Sequence, residues 1–599
     1  MNSFDVFDVL TLICGLALFL FGMDAMGNAL KKSAGRKMKT ILGNLTSSKL
    51  KGFLLGLGVT AIIQSSSATT VMVVGFVNSG TMMLSQAVGV IMGANVGTAV
   101  TAWITALNGI EGGSEATAFL QWLKPDAWMP ILALIGICLI MFSKRDKRKD
   151  IGNILIGFSV LMVGMDLMSG AVSGLKGDPT FAQLLTLFTN PLLGVLAGTL
   201  LTAIVQSSSA SVGILQALSS TGAISYGAAI PIIMGQNIGT CVTAMLSSMG
   251  ANKNGKRAAF IHLYYNIIGV VAFLSIYYLG GWILDTTGVF GLFSTMDSTA
   301  IDMWGIALVH TVFKIFSVIA LSPFTKLIEK LACATVRGDD KKGDEFTNML
   351  DERLLDTPTV ALDRCRTVAV RMSAISFDAL RNSVGLFQKY DPKVAQSIRD
   401  DEGKVDVYED VLGSYLVKLS DRDMDERDSH EVTKLLHLIG DLERVSDHAV
   451  NLAESAEEMR DGEIIFSENA IAELSVLMAA VGEIADITET SFASADFVTA
   501  ANVEPLEQVV DDLKDDIRRR HIMRLKKSEC TIEHGFVLSD ILTNLERVSD
   551  HCSNIAGCLI EMSQHDALDL HEYLHSVTNN GEEFNKLYGQ YKSKYALND

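Results

Sequence analysis

What most constrains this chain is a duplication held in register. Sliding the 599 residues against themselves by 142 aligns three landmarks without a gap. "FGMD" at 21–24 meets "VGMD" at 163–166, "QSSSA" at 64–68 meets "QSSSA" at 206–210, and "IMGANVGTAVTA" at 91–102 meets "IMGQNIGTCVTA" at 233–244. Chance does not hold one offset across so long an interval. The fold is therefore built from two equivalent units that stack on each other.

The chain is 49% hydrophobic and yet carries a net charge of −19. Dividing it resolves the tension. Residues 1–330 hold 20 Lys and Arg against 14 Asp and Glu, about +6, and residues 331–599 hold 29 against 54, about −25. A slightly basic, oily half is joined to an acidic, water-soluble one. Apolar stretches near 10–30, 84–107, 127–142, 152–174, 225–250, 258–281 and 301–322 approach the roughly 20 residues that cross a bilayer, with 127–142 the shortest. The first has an acidic n-region, a long apolar run and no small-residue cleavage site, unlike a signal peptide. A polytopic membrane protein follows. The 8 cysteines form no CxxC pairs, which gives zinc-ribbon and disulfide frameworks little support. Nucleic acid is not expected as a partner.

Lys and Arg accumulate on the cytoplasmic side of membranes. The segments 31–39, 143–149, 252–257 and the one after 322 are basic, whereas 108–126, 175–190 and 282–300 are poor in Lys and Arg. All are satisfied if the QSSS segments dip into the membrane and return. Equivalent spans 10–30 and 152–174 then run in opposite directions, and inverted repeats are the hallmark of secondary transporters, which bind substrate at the repeat interface.

Polar, irregular backbone is tolerated at membrane depth only where protein or a water-filled cavity surrounds it. Each QSSS lies between two apolar arms too short to span alone, so each copy predicts a helix–break–helix hairpin. Serine is a favoured N-cap, and the second arms are expected to begin within Ser65–Ser67 and Ser207–Ser209. Free N–H groups there suit an anion, while hydroxyls and freed carbonyls suit a hard cation such as sodium. Small-residue helix packing is the alternative for membrane serines. The G-x-N-x-G-T pair adds Asn95, Thr98, Asn237 and Thr240 as candidate oxygens, with close helix approach as the other reading of its glycines. Asp24 and Asp166 are equivalent positions, either ion-coupling carboxylates or residues that pair with a loop or solvate a helix end.

On the duplicated QSSS, the duplicated G-x-N-x-G-T and the inverted repeat, residues 1–330 resemble the type II sodium/phosphate cotransporters. The resemblance implies sodium-coupled transport of inorganic phosphate, with Gln64, Ser65, Ser66, Ser67, Gln206, Ser207, Ser208 and Ser209 forming substrate and ion sites. "HLYYN" (His262 to Asn266) is similar to the family's His-x-x-aromatic-Asn element. "HTVFK" (His310 to Lys314) is similar to a second one, with Lys314 in place of Asn. Lys314 stands in for a sodium, faces phosphate, snorkels, or pairs with Asp302.

The acidic half repeats as well. "LERVSDH" at 442–448 recurs at 545–551, and "EGKVDVYED" (402–410) is echoed by "EQVVDDLKD" (507–515). Amphipathic patterning predicts two three-helix units, near 359–390, 393–420 and 428–460, then 466–497, 504–528 and 531–563, with a last helix near 567–595. Four E-x-x-x-D pairs, Glu402/Asp406, Glu443/Asp447, Glu507/Asp511 and Glu546/Asp550, place like charges on one helix face, which is mildly destabilising. They form either a metal site on facing bundle helices or a solvated acidic face partly neutralised by Arg444 and Arg547. Residues 345–565 resemble the PhoU domain, which implies phosphate control and a bound iron or manganese cluster.

The expected fold is all-α: a polytopic membrane domain (1–330) with inverted repeats (about 10–107 and 152–250) and two re-entrant hairpins, a linker (331–344), a cytoplasmic PhoU-like bundle (345–565) of two three-helix repeats, and a C-terminal tail (566–599). The expected function is sodium-coupled phosphate transport across the cell membrane, regulated by that bundle. A phosphate-sensing anchor without flux and an exporter of the same fold are the alternatives. A homo-oligomer or a phosphate-signalling partner is compatible with either. No GxGxxG or Walker A sequence points to an enzyme.

Overall fold

The offset of the sequence is also the offset of the helices. The first copy contains α1 (Val6–Asn44), α2 (Lys49–Ile63), α3 (Ser66–Asn78), α4 (Leu84–Gly97) and α5 (Ala99–Ala106). After α6 (Pro125–Phe142), the second copy contains α7 (Asp146–Val172), α8 (Pro179–Thr186), α9 (Pro191–Val205), α10 (Ser208–Ser219), α11 (Tyr226–Gly239) and α12 (Cys241–Ser247). Helices α2 and α9 start at Lys49 and Pro191, α3 and α10 at Ser66 and Ser208, α4 and α11 at Leu84 and Tyr226, α5 and α12 at Ala99 and Cys241. Each pair is separated by the repeat offset. The structure is a computed structural model that describes residues 5–44, 49–80, 82–109, 125–176, 178–287, 297–338, 349–563 and 582–597. Much of the predicted loops at 108–126 and 282–300, most of the charged segment 337–346 and the start of the expected last helix lie outside those residues.

Glycine contacts give the direction of the copies. A Cβ on Gly15 would meet Met168, one on Gly22 would lie 2.3 Å from the Leu161 nitrogen, and one on Gly157 would lie 2.6 Å from the Met26 nitrogen. Numbers rise along α1 as they fall along α7, so these equivalent helices are antiparallel and the repeats are inverted. Backbones approach this closely only where side chains are absent, the usual way helices associate in lipid.

Among the described residues six helical stretches are long and apolar enough to cross a bilayer: Val6–Ser33, Leu84–Gly109, Lys147–Leu175, Tyr226–Ser247, Lys253–Ile283 and Met303–Thr335. Trp128–Phe142 is apolar but shorter, as the sequence suggested. The last two stretches comprise α13 (Lys253–Thr287), α14 (Met303–Leu321) and α15 (Thr325–Thr335). Helix α15 enters the segment expected as linker, and Leu354 and Leu355 are buried beyond it. The first compact unit accordingly extends to Thr357.

The second unit, Pro358–Asp599, contains α16 (Pro358–Leu386), α17 (Pro392–Ser420), α18 (Glu426–Asp461), α19 (Glu468–Ser494), α20 (Val503–Lys526), α21 (Ile532–Ser563) and α22 (Glu582–Lys594). Leu435, Leu438, Leu442, Val445, Ala449 and Leu452 of α18 are all fully buried, the three-and-four spacing of a helix facing a core. Helices α18 and α21, which carry the two LERVSDH segments, pack together, with the His448 and His551 rings stacked at 5.5 Å. The described residues contain no strand, only a bridge between Ser225 and Ala300.

Candidate functional site

Each QSSS is a helix break of the same construction. Gln64 and Gln206 adopt left-handed backbone, φ +59° and +56°, and terminate α2 and α9. The next residue is extended, and its side chain caps the new helix: the Ala68 N–H donates to Ser65 Oγ and the Ala210 N–H to Ser207 Oγ, both at 3.2 Å. The Thr60 and Thr69 hydroxyls meet at 3.0 Å, whereas nine residues of continuous helix would separate them by about 13 Å. The chain therefore folds back at the break. Serine capping chemistry is local, and the expected helix starts are the observed ones. Ser66, Ser208 and Ser209 are buried and Ser67 is half-buried, so both α3 and α10 present their free first-turn N–H groups inside protein.

The copies differ in how the break is tied. In the first, the Thr101 hydroxyl donates to Gln64 Oε1 at 2.8 Å, and Gln64 is 5% exposed. In the second, Gln206 is exposed and the equivalent Thr243 hydroxyl is buried without a partner. Thr202 and Ser211, the counterparts of the bonded Thr60 and Thr69, are also without partners, as is Gln236 Oε1. Four unsatisfied oxygens are thus gathered on the elements of one copy.

Around these breaks the copies interlock. Helix α3 packs on α12, and α10 on α5, so each second arm rests on the helix that follows the other copy's G-x-N-x-G-T motif. Gln216 of α10, fully buried, donates to the Ala102 and Met303 carbonyls at 2.9 and 3.1 Å and accepts from Thr105 at 2.5 Å. Gln216 carries no repeat signal, because Val74 occupies the equivalent position. Thr101 and Thr243 were detectable, since both lie inside the aligned block.

The motif glycines serve close packing. A Cβ on Gly93 would sit 1.9 Å from the Phe53 carbonyl, and one on Gly235 2.0 Å from that of Val195. Asn95 and Asn237 donate to the Ile91 and Ile233 carbonyls of their own helices. Thr98 and Thr240 likewise donate to Ala94 and Gln236. The amide and hydroxyl oxygens themselves remain as acceptors.

Helices α13 and α14 present matching pairs four residues apart, His262/Asn266 and His310/Lys314, all nearly inaccessible. Asn266 contacts Cys241 Sγ at 3.4 Å, and that sulfur lies 3.7 Å from the Asn237 carbonyl. Lys314 Nζ donates to Asn95 Oδ1 at 3.3 Å. Asp302 instead caps α14, twelve residues and about 18 Å away along the helix, which removes the Lys314–Asp302 pairing. A lysine 4% exposed does not snorkel either.

Asp24 and Asp166 sit away from the glycine faces of their helices. Both are exposed, two residues from Gly22 and Gly164 and hence about 200° around helices whose glycine faces pack on each other. Asp24 accepts from Asn28 at 3.0 Å.

In the second unit the E-x-x-x-D carboxylates do cluster by copy. Partial burial, followed by Asp447, pushes Glu443 up to about 7. Burial, then Asp447 and Asp406, raises Glu402 above the ordinary glutamate value. Glu507 is pushed up to about 8 by burial and then by Glu504 and Asp511, and Asp550 is raised by burial and then Glu546. Cations already sit among them: Lys514 lies 2.9 Å from Glu546 and 3.5 Å from Asp511, Arg547 3.5 Å from Asp550, and Arg444 3.5 Å from Glu443. Among the described residues no three His, Cys, Asp or Glu side chains converge as a metal-holding group. Asp511 Oδ1 is nonetheless buried without a hydrogen-bond partner.

Inverted helical repeats, paired capped breaks and buried polar groups between apolar spans define a secondary-transporter type of membrane protein. The chain belongs to the Na+/Pi-cotransporter family, whose model matches residues 18–170 and again 161–296, one match on each copy. The PhoU domain model matches 369–456 and 474–559, again twice. The "Putative inorganic phosphate export protein YjbB" of Salmonella typhimurium is 24% identical over 93% of this chain and 98% of its own length. The "Uncharacterized protein YqeW" of Bacillus subtilis is 32% identical over 44% of this chain and 82% of its own. Human "Sodium-dependent phosphate transport protein 2B" is 35% identical over 25% of this chain and 24% of its own. Among solved structures, PhoU from Pseudomonas aeruginosa matches at a TM-score of 0.32 and 21% identity, covering 34% of this chain and 96% of that one. The chain is thus a membrane protein of a phosphate-transporting family with a duplicated PhoU domain.

Proposed function

We propose that this protein moves inorganic phosphate across the cell membrane in company with sodium, and that its PhoU unit lies in the cytoplasm and adjusts that flux. The observation that carries the reading is the pair of serine-capped helix starts, Ser65–Ser67 and Ser207–Ser209, set inside protein on inverted repeats. A helix N-terminus offers N–H donors and partial positive charge to an oxyanion. Among the described residues, the hydroxyls of Ser66, Ser67, Ser208 and Ser209 have no side-chain partner and add donors. Sodium takes oxygen ligands, and the buried unsatisfied oxygens of Thr202, Ser211, Gln236 and Thr243 are of that kind. A cation there offsets the charge of a phosphate dianion, which couples the two by mutual stabilisation.

The unequal ties of Gln64 and Gln206 suit alternating access, in which one repeat closes as the other opens. The basic segments at 143–149 and 252–257 support a cytoplasmic PhoU unit by the positive-inside rule. Export is the alternative direction, supported by a relative matched along nearly its whole length and named for phosphate export. Uptake into proteoliposomes tests the site: Ser66→Ala and Ser208→Ala should each reduce sodium-dependent phosphate flux at least tenfold. Unchanged kinetics in both variants would remove the hairpins from the substrate path.

A further inference from the structure

We propose that Lys314 is a tethered cation, a permanent substitute for a sodium ion at the first copy's Asn95. The proposal rests on the sodium-coupled reading above and adds to it a count of ions. Helices α13 and α14 each carry a histidine followed four residues on by a nitrogen-bearing side chain, His262/Asn266 and His310/Lys314, and the side-chain-to-side-chain bonds of Asn266 and Lys314 run to different copies. Asn266 reaches the second copy's motif through Cys241, against the Asn237 carbonyl. Lys314 reaches the first copy's motif directly, its ammonium on Asn95 Oδ1. One position thus bears a neutral amide on one side of the pseudo-symmetric domain and a positive charge on the other.

That charge has no carboxylate to answer it. Among the described residues Lys314 is in no ion pair, although it is 4% exposed. A buried ammonium left so is costly, and a domain keeps it where it serves. Ammonium and sodium are both monovalent cations that take amide oxygens. The ammonium on its stem cannot leave, so it supplies a positive charge beside the substrate path without drawing on a gradient. Fewer sodium ions are then needed to balance each phosphate.

The measurement is the sodium dependence of phosphate flux in proteoliposomes of the full chain, read as a Hill coefficient and as the sodium gradient that brings net flux to zero. Lys314→Asn should raise both the coefficient and the number of sodium ions per phosphate by about one, whereas Lys314→Arg should leave both as in the wild type. Asn95→Asp keeps the lysine and adds a negative charge beside it, and should recruit a sodium with the same gain of about one. This variant decides the matter if Lys314→Asn fails to fold. Sodium-dependent wild-type flux whose coefficient moves in neither folded variant overturns the role of Lys314 alone. Wild-type flux indifferent to sodium overturns the coupled reading on which it rests.

Discussion

Thr101 Oγ1 donates to Gln64 Oε1 at 2.8 Å and ties the first helix break to the end of its own repeat, a bond that Thr243 and Gln206 do not make in the second. An identical QSSS thus exists in two states within one molecule. Removing the donor leaves the Gln64 carbonyl buried and unpaired, a cost of about 1–3 kcal/mol. Thr101→Val should therefore lower sodium-dependent phosphate flux by roughly tenfold, and Thr101→Ser, which keeps the hydroxyl, should retain most of it.

Close helix contact at the hairpins predicts a contrast between neighbouring glycines. A Cβ on Gly56 would lie 2.0 Å from the Val90 carbonyl, whereas one on Gly58 would have nothing within 4 Å. Backbone cannot yield as a flexible side chain does, and overpacking costs roughly 1–3 kcal/mol. Gly56→Ala should lower the thermal midpoint of the detergent-solubilised protein by several degrees, while Gly58→Ala leaves it near the wild type.

The segment that ends the membrane unit is held to both hairpin neighbours. Asn78, the last residue of α3, donates to Asp351 at 2.7 Å, Asp351 pairs with Arg353 at 2.7 Å, and Arg353 donates to the Ser247 carbonyl at the end of α12. Asp351 is 6% exposed, so Asp351→Ala strands Arg353 and the Asn78 amide. Proteolysis around residue 350 should accelerate severalfold in that variant, and phosphate flux should fall with it.

The acidic helices predict a pH dependence with a definite sign. Glu507, held near 8 by burial and its carboxylate neighbours, keeps its proton in the fold while the unfolded chain releases it at about 4.5. Below that value both states are protonated and nothing is lost. As pH rises towards 8 the unfolded state is increasingly favoured, by at most about 1.4 kcal/mol per pH unit. Protection factors of the α20 amides, corrected for intrinsic exchange at each pH, should therefore fall between pH 5 and 8, and Glu507→Gln should flatten that slope.

What was legible in the sequence was whatever chemistry keeps local. Ser65 and Ser207 cap helices where serine and a preceding break demand it, and α16 to α21 follow apolar spacing to within a few residues. The inverted repeat was legible because loop charge and the 142-residue offset constrain each other. Pairings across the fold were not. Lys314 meets Asn95 and Gln216 meets Ala102 only after helices from separate parts of the chain pack. For Asp24 and Asp166, repeat equivalence fixes a position along a helix and not the face it presents. The spacing of the carboxylates of the PhoU repeats was legible, whereas the position of Lys514 between Glu546 and Asp511 was not.

The most direct measurement is tracer phosphate flux through purified protein in liposomes, with sodium gradients imposed in each direction and then abolished. Phosphate should accumulate against its own gradient on the side towards which sodium flows, reverse when the sodium gradient is reversed, and fall to equilibration when sodium is replaced by choline. Flux at the same rate in all three conditions, or none in any, would contradict sodium-coupled phosphate transport by this chain.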